Sequence, residues 1–472
     1  MISWIDIAVI ILYLAVLVVI GVVTSRKIKS TEDYGVAGRK LSFPIVLGTV
    51  AATLIGAGAT LGRAGEAYQS GISIYWAVLG VFVGSLIFAF FMAKKIRKIG
   101  VWTLPELLYQ RYGLAPRIIG AVLLLVGGVV IYAAQIAGLG ICVSSLLKEV
   151  GLDFTTAVLI CGAIVVLYTL LGGLLAVAYT DFFQFLIFLP VLGIVLPIYV
   201  FTSVGSPFEI YSRLPADYMS ILGQHPITVL SWFFLFILAQ LIDMTMWQRA
   251  AASKTGNIIK NAAIVNAFLF VFWSFITITI GLAAVIVLPN LLTTYGKIDY
   301  VLPAMAIQYL PPGLIGLCFV ALAAVLMSTA SSILLLAGIL IGRDIIQPLS
   351  KKGMSDKKLL WTSRGIVLIV GVVGIIIALY MTGIFRAMYL GYALFVGGAF
   401  IPVMAALFWK KGTKQGALWS MVVSMVVIVA LYALGSPLGI EPILPGLVIS
   451  VVLMYFISKA TYKEQPAQST GQ

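Results

Sequence analysis

Windows of about 20 consecutive apolar residues recur from the N-terminus almost to the end of this chain, and that recurrence leaves few folds open. Each window suits one helical crossing of a hydrocarbon layer about 30 Å thick, where backbone polar groups must be satisfied within the segment itself. Thirteen are legible, at residues 6–24, 43–66, 72–94, 118–143, 155–176, 180–202, 226–246, 262–289, 312–340, 365–382, 386–409, 415–434 and 440–459. With 62% of 472 residues hydrophobic and 10% charged, no soluble core hides so much apolar surface. The expectation is an all-α integral membrane protein of thirteen transmembrane helices, one membrane domain over 1–472. The first window is read as a helix rather than a signal peptide, because no basic segment precedes it and a basic loop follows it.

A formal charge of +14 would suggest a nucleic-acid partner in a soluble chain, so the placement of Lys and Arg decides its meaning. Arg26, Lys27, Lys29, Arg39 and Lys40 follow the first span; Lys94, Lys95, Arg97, Lys98, Arg111 and Arg117 follow the third. Arg249, Lys254 and Lys260 follow the seventh, and Arg343, Lys351, Lys352, Lys357, Lys358 and Arg364 the ninth. Lys410, Lys411, Lys414, Lys459 and Lys463 complete a set confined to alternate loops, opposed by only Lys148, Arg213 and Lys297. The positive-inside rule then puts the N-terminus outside and the C-terminus in the cytoplasm, with the charge serving topology and not nucleic acid.

Cys142, Cys161 and Cys318 each fall inside a span and show neither a disulfide framework nor metal spacing, and the lone His225 in an external loop is read as incidental. No soluble module, reactive His–acid pair or obligate protein partner is evident, so an enzyme is not expected.

Within the second span, Gly56, Gly58 and Gly62 interrupt an apolar run. Such glycines either break a helix at mid-membrane, where bare carbonyls are tolerated only beside a cavity or ion, or let helices pack closely. Span seven carries Gln240 and Asp243; Asp243 reads as an end residue paired with Arg249 or as a buried acid, and Gln240 one turn earlier is harder to dismiss. Arg63 and Glu66, three residues apart, read as a self-neutralising structural or gating pair. Asp181 and Gln184 have the spacing of a capping box near the start of span six, after the break at Gly172 and Gly173. The densest signal is Ser328, Thr329, Ser331 and Ser332: helical geometry puts the three serines on one face. Such oxygens either ligate a hard cation weakly enough for transport, sodium above all, or knit helices together.

The chain resembles the sodium/solute symporter family, which includes bacterial proline, pantothenate and sialic acid carriers and animal glucose carriers. SRKIKSTEDYGVAGRKLS, GGLLAVAYTDFFQ and ALAAVLMSTASS carry the likeness, in the family's order and at about its spacing, over residues 1 to 460. The resemblance implies a LeuT-like 5+5 inverted repeat. Spans two to six (43–202) and seven to eleven (226–409) are its halves, after a first helix and basic loop (1–42) and before two extra helices (410–459) and a tail (460–472).

By the same resemblance, sodium is held by the carbonyls of Ala52, Ile55 and Val325 and the hydroxyls of Ser328 and Thr329. In relatives similar to sialic acid carriers a second sodium matches Asp181, Ser328, Ser331 and Ser332. Where proline carriers have an aspartate this chain has Leu54, which argues against copying proline as substrate. Gly56, Gly58, Tyr132, Gln135 and Gln240 are the candidate solute contacts, and neutral Gln135, where acid carriers place an arginine, leans toward an amino acid or similar small polar solute. The functional expectation is sodium-coupled import by alternating access, in the cytoplasmic membrane of a bacterium or archaeon. A proton-coupled carrier using Asp181 is the alternative, and a passive channel would need a continuous polar face that no span displays.

Overall fold

The computed structural model describes residues 4–26, 30–148, 151–223, 225–350, 354–436 and 441–462. Lys27, Lys29, Lys351, Lys352 and Lys463 of the basic set, and 463–472 of the expected tail, lie outside the described residues. Among the described residues all extended regular structure is helical, and an isolated bridge joins Leu41 to Ser253.

Eleven helices are long and apolar enough to cross a membrane, and two shorter apolar helices, Phe43–Leu54 and Phe154–Leu170, accompany them. The framework runs α1 (Trp4–Ser25), α2 (Phe43–Leu54), α3 (Arg63–Ser70), α4 (Tyr75–Ile87), α5 (Leu114–Leu146), α6 (Phe154–Leu171) and α7 (Leu174–Pro190). It continues with α8 (Pro226–Ile242), α9 (Met244–Ala252), α10 (Gly256–Val287), α11 (Leu314–Ile339), α12 (Asp356–Leu379), α13 (Ile384–Phe408), α14 (Lys414–Ala433) and α15 (Ile443–Thr461). Proline at the first turn starts α2 and α8, and Asp153, Thr255, Ser355 and Thr413 cap α6, α10, α12 and α14 by accepting early backbone N–H groups.

Depth in the bundle follows sequence character. The stretch continuing α11, Leu314–Leu349, is 94% buried over its most apolar window, against 22% for α1 and 28% for α15. Lipid tails are as apolar as leucine, so α1 and α15 leave Ile11, Leu12 and Phe456 outward without cost, while α11 is enclosed by α1, α2, α5, α7 and α12. Asp6 ties the rim to the core: its Oδ1 accepts from the backbone N–H groups of Gly313 and Gly316 at 3.0 and 2.7 Å, satisfying the start of α11.

One open reading is decided and two local expectations change. The second span is broken: α2 stops at Leu54, Ile55 leaves helical space at φ −88°, ψ 77°, and a wide turn over Gly58–Gly62 leads into α3. The chain then turns at Gly71 (φ 70°), where any Cβ would meet the Tyr218 carbonyl at 2.2 Å, so only glycine fits. The seventh span does not end near Asp243; α8 breaks there at φ −61°, ψ 115°, and α9 resumes with Asp243 as its cap. The break between α6 and α7 falls at Gly172–Gly173, so Asp181 lies two turns inside α7, fully buried, and is not a capping residue.

Candidate ion and solute site

An α-helix that stops inside a bundle leaves its last carbonyls without intrahelical partners. At the end of α2 these carbonyls face the hydroxyls of α11. Ser328 Oγ donates toward Ala52 O at 2.8 Å and toward Val325 O at 2.9 Å. Thr329 Oγ1 stands 3.3 Å from Ala52 O, 3.2 Å from Thr53 O and 3.4 Å from Val325 O. Two hydroxyl protons therefore serve three carbonyl oxygens, and the surplus of buried acceptors suits a small hard cation. Four of the five expected sodium ligands are brought together in this way. Ile55 sits at the break itself, where its ψ turns the carbonyl away from the helical direction.

Gly56 and Gln135 close the same spot. A Cβ on Gly56 would lie 2.7 Å from Thr329 Oγ1 and 2.9 Å from Gln135 Oε1. Gln135 Oε1 accepts from the N–H of Ala57 at 2.7 Å, replacing the partner that the break removed. The glutamine thus stabilises the broken helix.

One turn along α11 the second expected set divides. Ser332 Oγ lies 3.5 Å from Asp181 Oδ2, but Ser331 donates to the carbonyl of Ser328 at 3.1 Å and Ser328 belongs to the first cluster. The positive charge beside Asp181 is Arg249, fully buried, whose Nη2 is 3.3 Å from Asp181 Oδ2 and also reaches Thr49, Thr53 and Ser332. Thr49 Oγ1 donates to the same carboxylate oxygen at 2.6 Å. Arg249 is accordingly no cytoplasmic loop residue, and Asp243 is engaged by Thr245 and the N–H of Met246. Sequence position misled because a second helix, α9, follows the break at Asp243 and carries Arg249 into the core.

Two cavities lie on the other side of the α2–α3 break. A cavity of about 750 Å³, lined among others by Glu66, Asp217, His225, Trp232, Arg386 and Glu441, opens at the end of the bundle near Ser70. Next to it a space of about 30 Å³ is lined by Leu54, Gly58, Arg63, Gln240, Met388 and Tyr392, with other side chains. Phe385 lines both and packs edge-on against Trp232, ring centroids 5.2 Å apart, forming a partition. Of the expected solute contacts, Gly58 and Gln240 line the small cavity. Gly56 and Gln135 belong to the break, and Tyr132 is packed onto Gly374, with ring carbons within 2.4 Å of where a Cβ there would stand. Leu54, Arg63, Phe385, Met388 and Tyr392 line the same cavity and were not among the expected contacts. Arg63 was hidden by Glu66: the two point into different cavities, and Glu66 accepts from Ser70 at 2.7 Å instead.

Two broken helices flanking a buried, hydroxyl-rich one, with carbonyls bared at the break, define a membrane carrier. The sodium:solute symporter family model matches residues 34–424, and the chain belongs to that family, whose coupling ion is sodium. It is 26% identical to the high-affinity proline transporter PutP of Bacillus subtilis over 96% of this chain and 97% of that protein. It is 27% identical to the sodium/glucose cotransporter of Vibrio parahaemolyticus, covering 97% and 91%, and 25% identical to the sodium/proline symporter of Escherichia coli, covering 95% and 92%. Among solved structures, a Na+-coupled sialic acid symporter in a substrate-bound outward-open state shares the fold at a TM-score of 0.80 and 19% identity, over 98% of this chain and 99% of that one. MhsT in complex with L-phenylalanine matches at 0.56 and 13%, over 89% and 98%.

Proposed function

We propose that this protein imports a small polar organic solute together with sodium by alternating access, and the observation that carries the reading is the surplus of carbonyl acceptors around Ser328 and Thr329 at the end of α2. The hydroxyls and carbonyls of Ala52, Ile55, Val325, Ser328 and Thr329 replace the ion's water shell, and neutral ligands keep its release easy. Binding there draws α11 and the broken α2 together, which couples the ion to the solute cavity beyond Gly56 and Gly58.

The reading has thirteen crossings, with the N-terminus outside, the turn at Gly71 separating the second from the third, and repeats over 43–202 and 226–409. The matching breaks after Leu54 and at Asp243, one in each half, support the repeat. In that orientation the large cavity opens outward. The cytoplasmic end is closed by Leu41 N–H to Ala252 O (3.1 Å), Lys254 N–H to Leu41 O (3.1 Å), Gln248 Nε2 to Gly35 O (2.8 Å) and Arg97 Nε to Ser253 O (2.7 Å). The proline transporters among the relatives make amino acids the first solutes to test.

We count one sodium ion per cycle. Asp181, with Ser332, has its positive charge supplied by Arg249, so a second ion there would have to displace a bonded guanidinium. One inward ion contributes about 2.3 kcal/mol per 100 mV in addition to its gradient.

The test is the thermal midpoint of purified protein titrated with sodium against potassium, followed by uptake into proteoliposomes. A sodium-specific rise, saturating with a Hill coefficient near one and lost in Ser328→Ala, is expected. A response to pH and none to sodium would replace this reading with proton coupling through Asp181.

A further inference from the structure

Arg63 stands inside the membrane with its side chain against the small cavity, and only 3% of it is exposed. Its Nη1 donates to Ser274 Oγ at 2.8 Å and its guanidinium lies 4.3 Å from the centre of the Phe270 ring. Both partners are neutral, and Nε has no hydrogen-bond partner among the described residues. Among the described residues no carboxylate comes within ion-pair distance of it: the ion pairs present involve Arg39, Arg117, Arg249 and Arg343. The comparison with Arg249 is internal to the molecule. Both arginines are buried in the same bundle, and one has Asp181 while the other faces a cavity.

A buried charge without a counter-ion is unfavourable, and a protein retains one where a ligand supplies the opposite charge. A planar guanidinium with free N–H donors matches the two oxygens of a carboxylate better than any other common solute group. We infer that Arg63 is the anchor for a carboxylate on the transported solute, an inference that rests on the transport reading above and narrows its substrate class. The remaining lining sets the rest of the molecule. Leu54, Val81, Phe236 and Met388 offer an apolar wall, with Gln240 and Tyr392 as the polar complement.

Among the described residues no acid lines this cavity to receive an ammonium group. Glu66 faces the other cavity, and Asp243 is used in capping α9. The carboxylate therefore dominates recognition and an α-amino group adds little, so simple short monocarboxylates compete with amino acids of the same size. A space of about 30 Å³ holds no solute as it stands, so Phe385 and Met388 move aside on binding, which restricts the solute to a small one.

The experiment uses the purified full chain in sodium. Its thermal midpoint is measured against acetate, propionate, butyrate, L-alanine and L-proline, each beside its primary amide, with glucose and glycerol as neutral solutes. The best binder is then followed as labelled solute in proteoliposomes. Acids are expected to stabilise and their amides not to. Arg63→Met should abolish the response and raise KM at least about 30-fold, Arg63→Lys should restore part of it, and both variants should keep the sodium response. A neutral solute binding as well as the acids, or Arg63→Met binding acids like wild type, overturns the inference. If Arg63→Met does not fold, the contrast between acids and amides in the wild type still decides. Loss of the sodium response in the wild type counts against sodium coupling instead, and leaves the acid–amide contrast to judge Arg63.

Discussion

Ser328 touches carbonyls on two helices at once, through Ala52 of α2 and Val325 of α11, so truncating it removes a proposed sodium ligand and also a hydrogen-bonded strut between the helices. Ser328→Ala is expected to raise the sodium concentration for half-maximal stabilisation at least about tenfold, by loss of roughly 1.4 kcal/mol or more of ion binding, with the potassium baseline changed less. Arg249 and Asp181 differ in kind, because each is the other's compensation. Arg249→Met alone should destabilise by about 3–5 kcal/mol, since it strands a buried carboxylate, and adding Asp181→Asn should recover part of that cost. Unfolding of the four proteins in a double-mutant cycle measures the coupling, and strict additivity would mean that the pair is not electrostatically joined. At this scale the hydroxyl cluster was legible from spacing on one helix. The roles of the two arginines were not, because an arginine's partner is chosen by the neighbouring helices.

Helix ends decide more than helix interiors. α2 ends where the Ile55 backbone leaves helical space, and Gly56 beside it leaves room for Thr329 and Gln135. Gly56→Ala is expected to weaken sodium binding about as much as Ser328→Ala does, because the new methyl meets the Thr329 hydroxyl proposed as a ligand. Sodium titration of the thermal midpoint checks it. α13, which lines both cavities, is held at its start by Asp299, whose carboxylate oxygens accept from Ile384 N–H at 3.3 and 3.2 Å. Burial raises the Asp299 carboxyl from 3.8 to about 6, partly opposed by that hydrogen bond and by Lys297. The folded state therefore holds the proton more tightly than the unfolded chain does. The resulting stabilisation is complete below about 3.8 and is lost as pH rises to about 6. Asp299→Asn should flatten the fall of the thermal midpoint between those pH values. An unchanged slope would assign the dependence to another group. Glycines announced the first break, whereas the break at Asp243 has no glycine or proline within it and follows from capping: the carboxylate takes the Met246 N–H and starts α9.

Across the whole molecule, one end is open and the other is tied shut. Gln69 lines the large cavity, while Lys254 lies in the cluster of backbone bonds that closes the opposite end. In intact cells Gln69→Cys should react with an impermeant maleimide, and sodium should not reduce that reaction. Lys254→Cys should react only after permeabilisation, and more slowly with sodium present. The reverse pattern would invert the orientation. Between these ends α1 and α15 are the least buried of the long apolar helices, and α11 is the most buried of them.

By itself the sequence determined the solvent, since runs of about 20 apolar residues admit only buried or lipid-facing helices, and it determined the oxygen-rich face of α11, since helical spacing is local. The orientation reading also came from sequence, through charge in alternate loops. Tertiary structure decided which charges are neutralised. Asp181 met Arg249, Arg63 did not meet Glu66, and Gln135 turned to the Ala57 N–H. The reason is physical: periodicity fixes the face on which a side chain stands, while its partner is fixed by how helices distant in the chain cross, and in a low-dielectric interior that partner determines whether a charge is structural or free for a ligand.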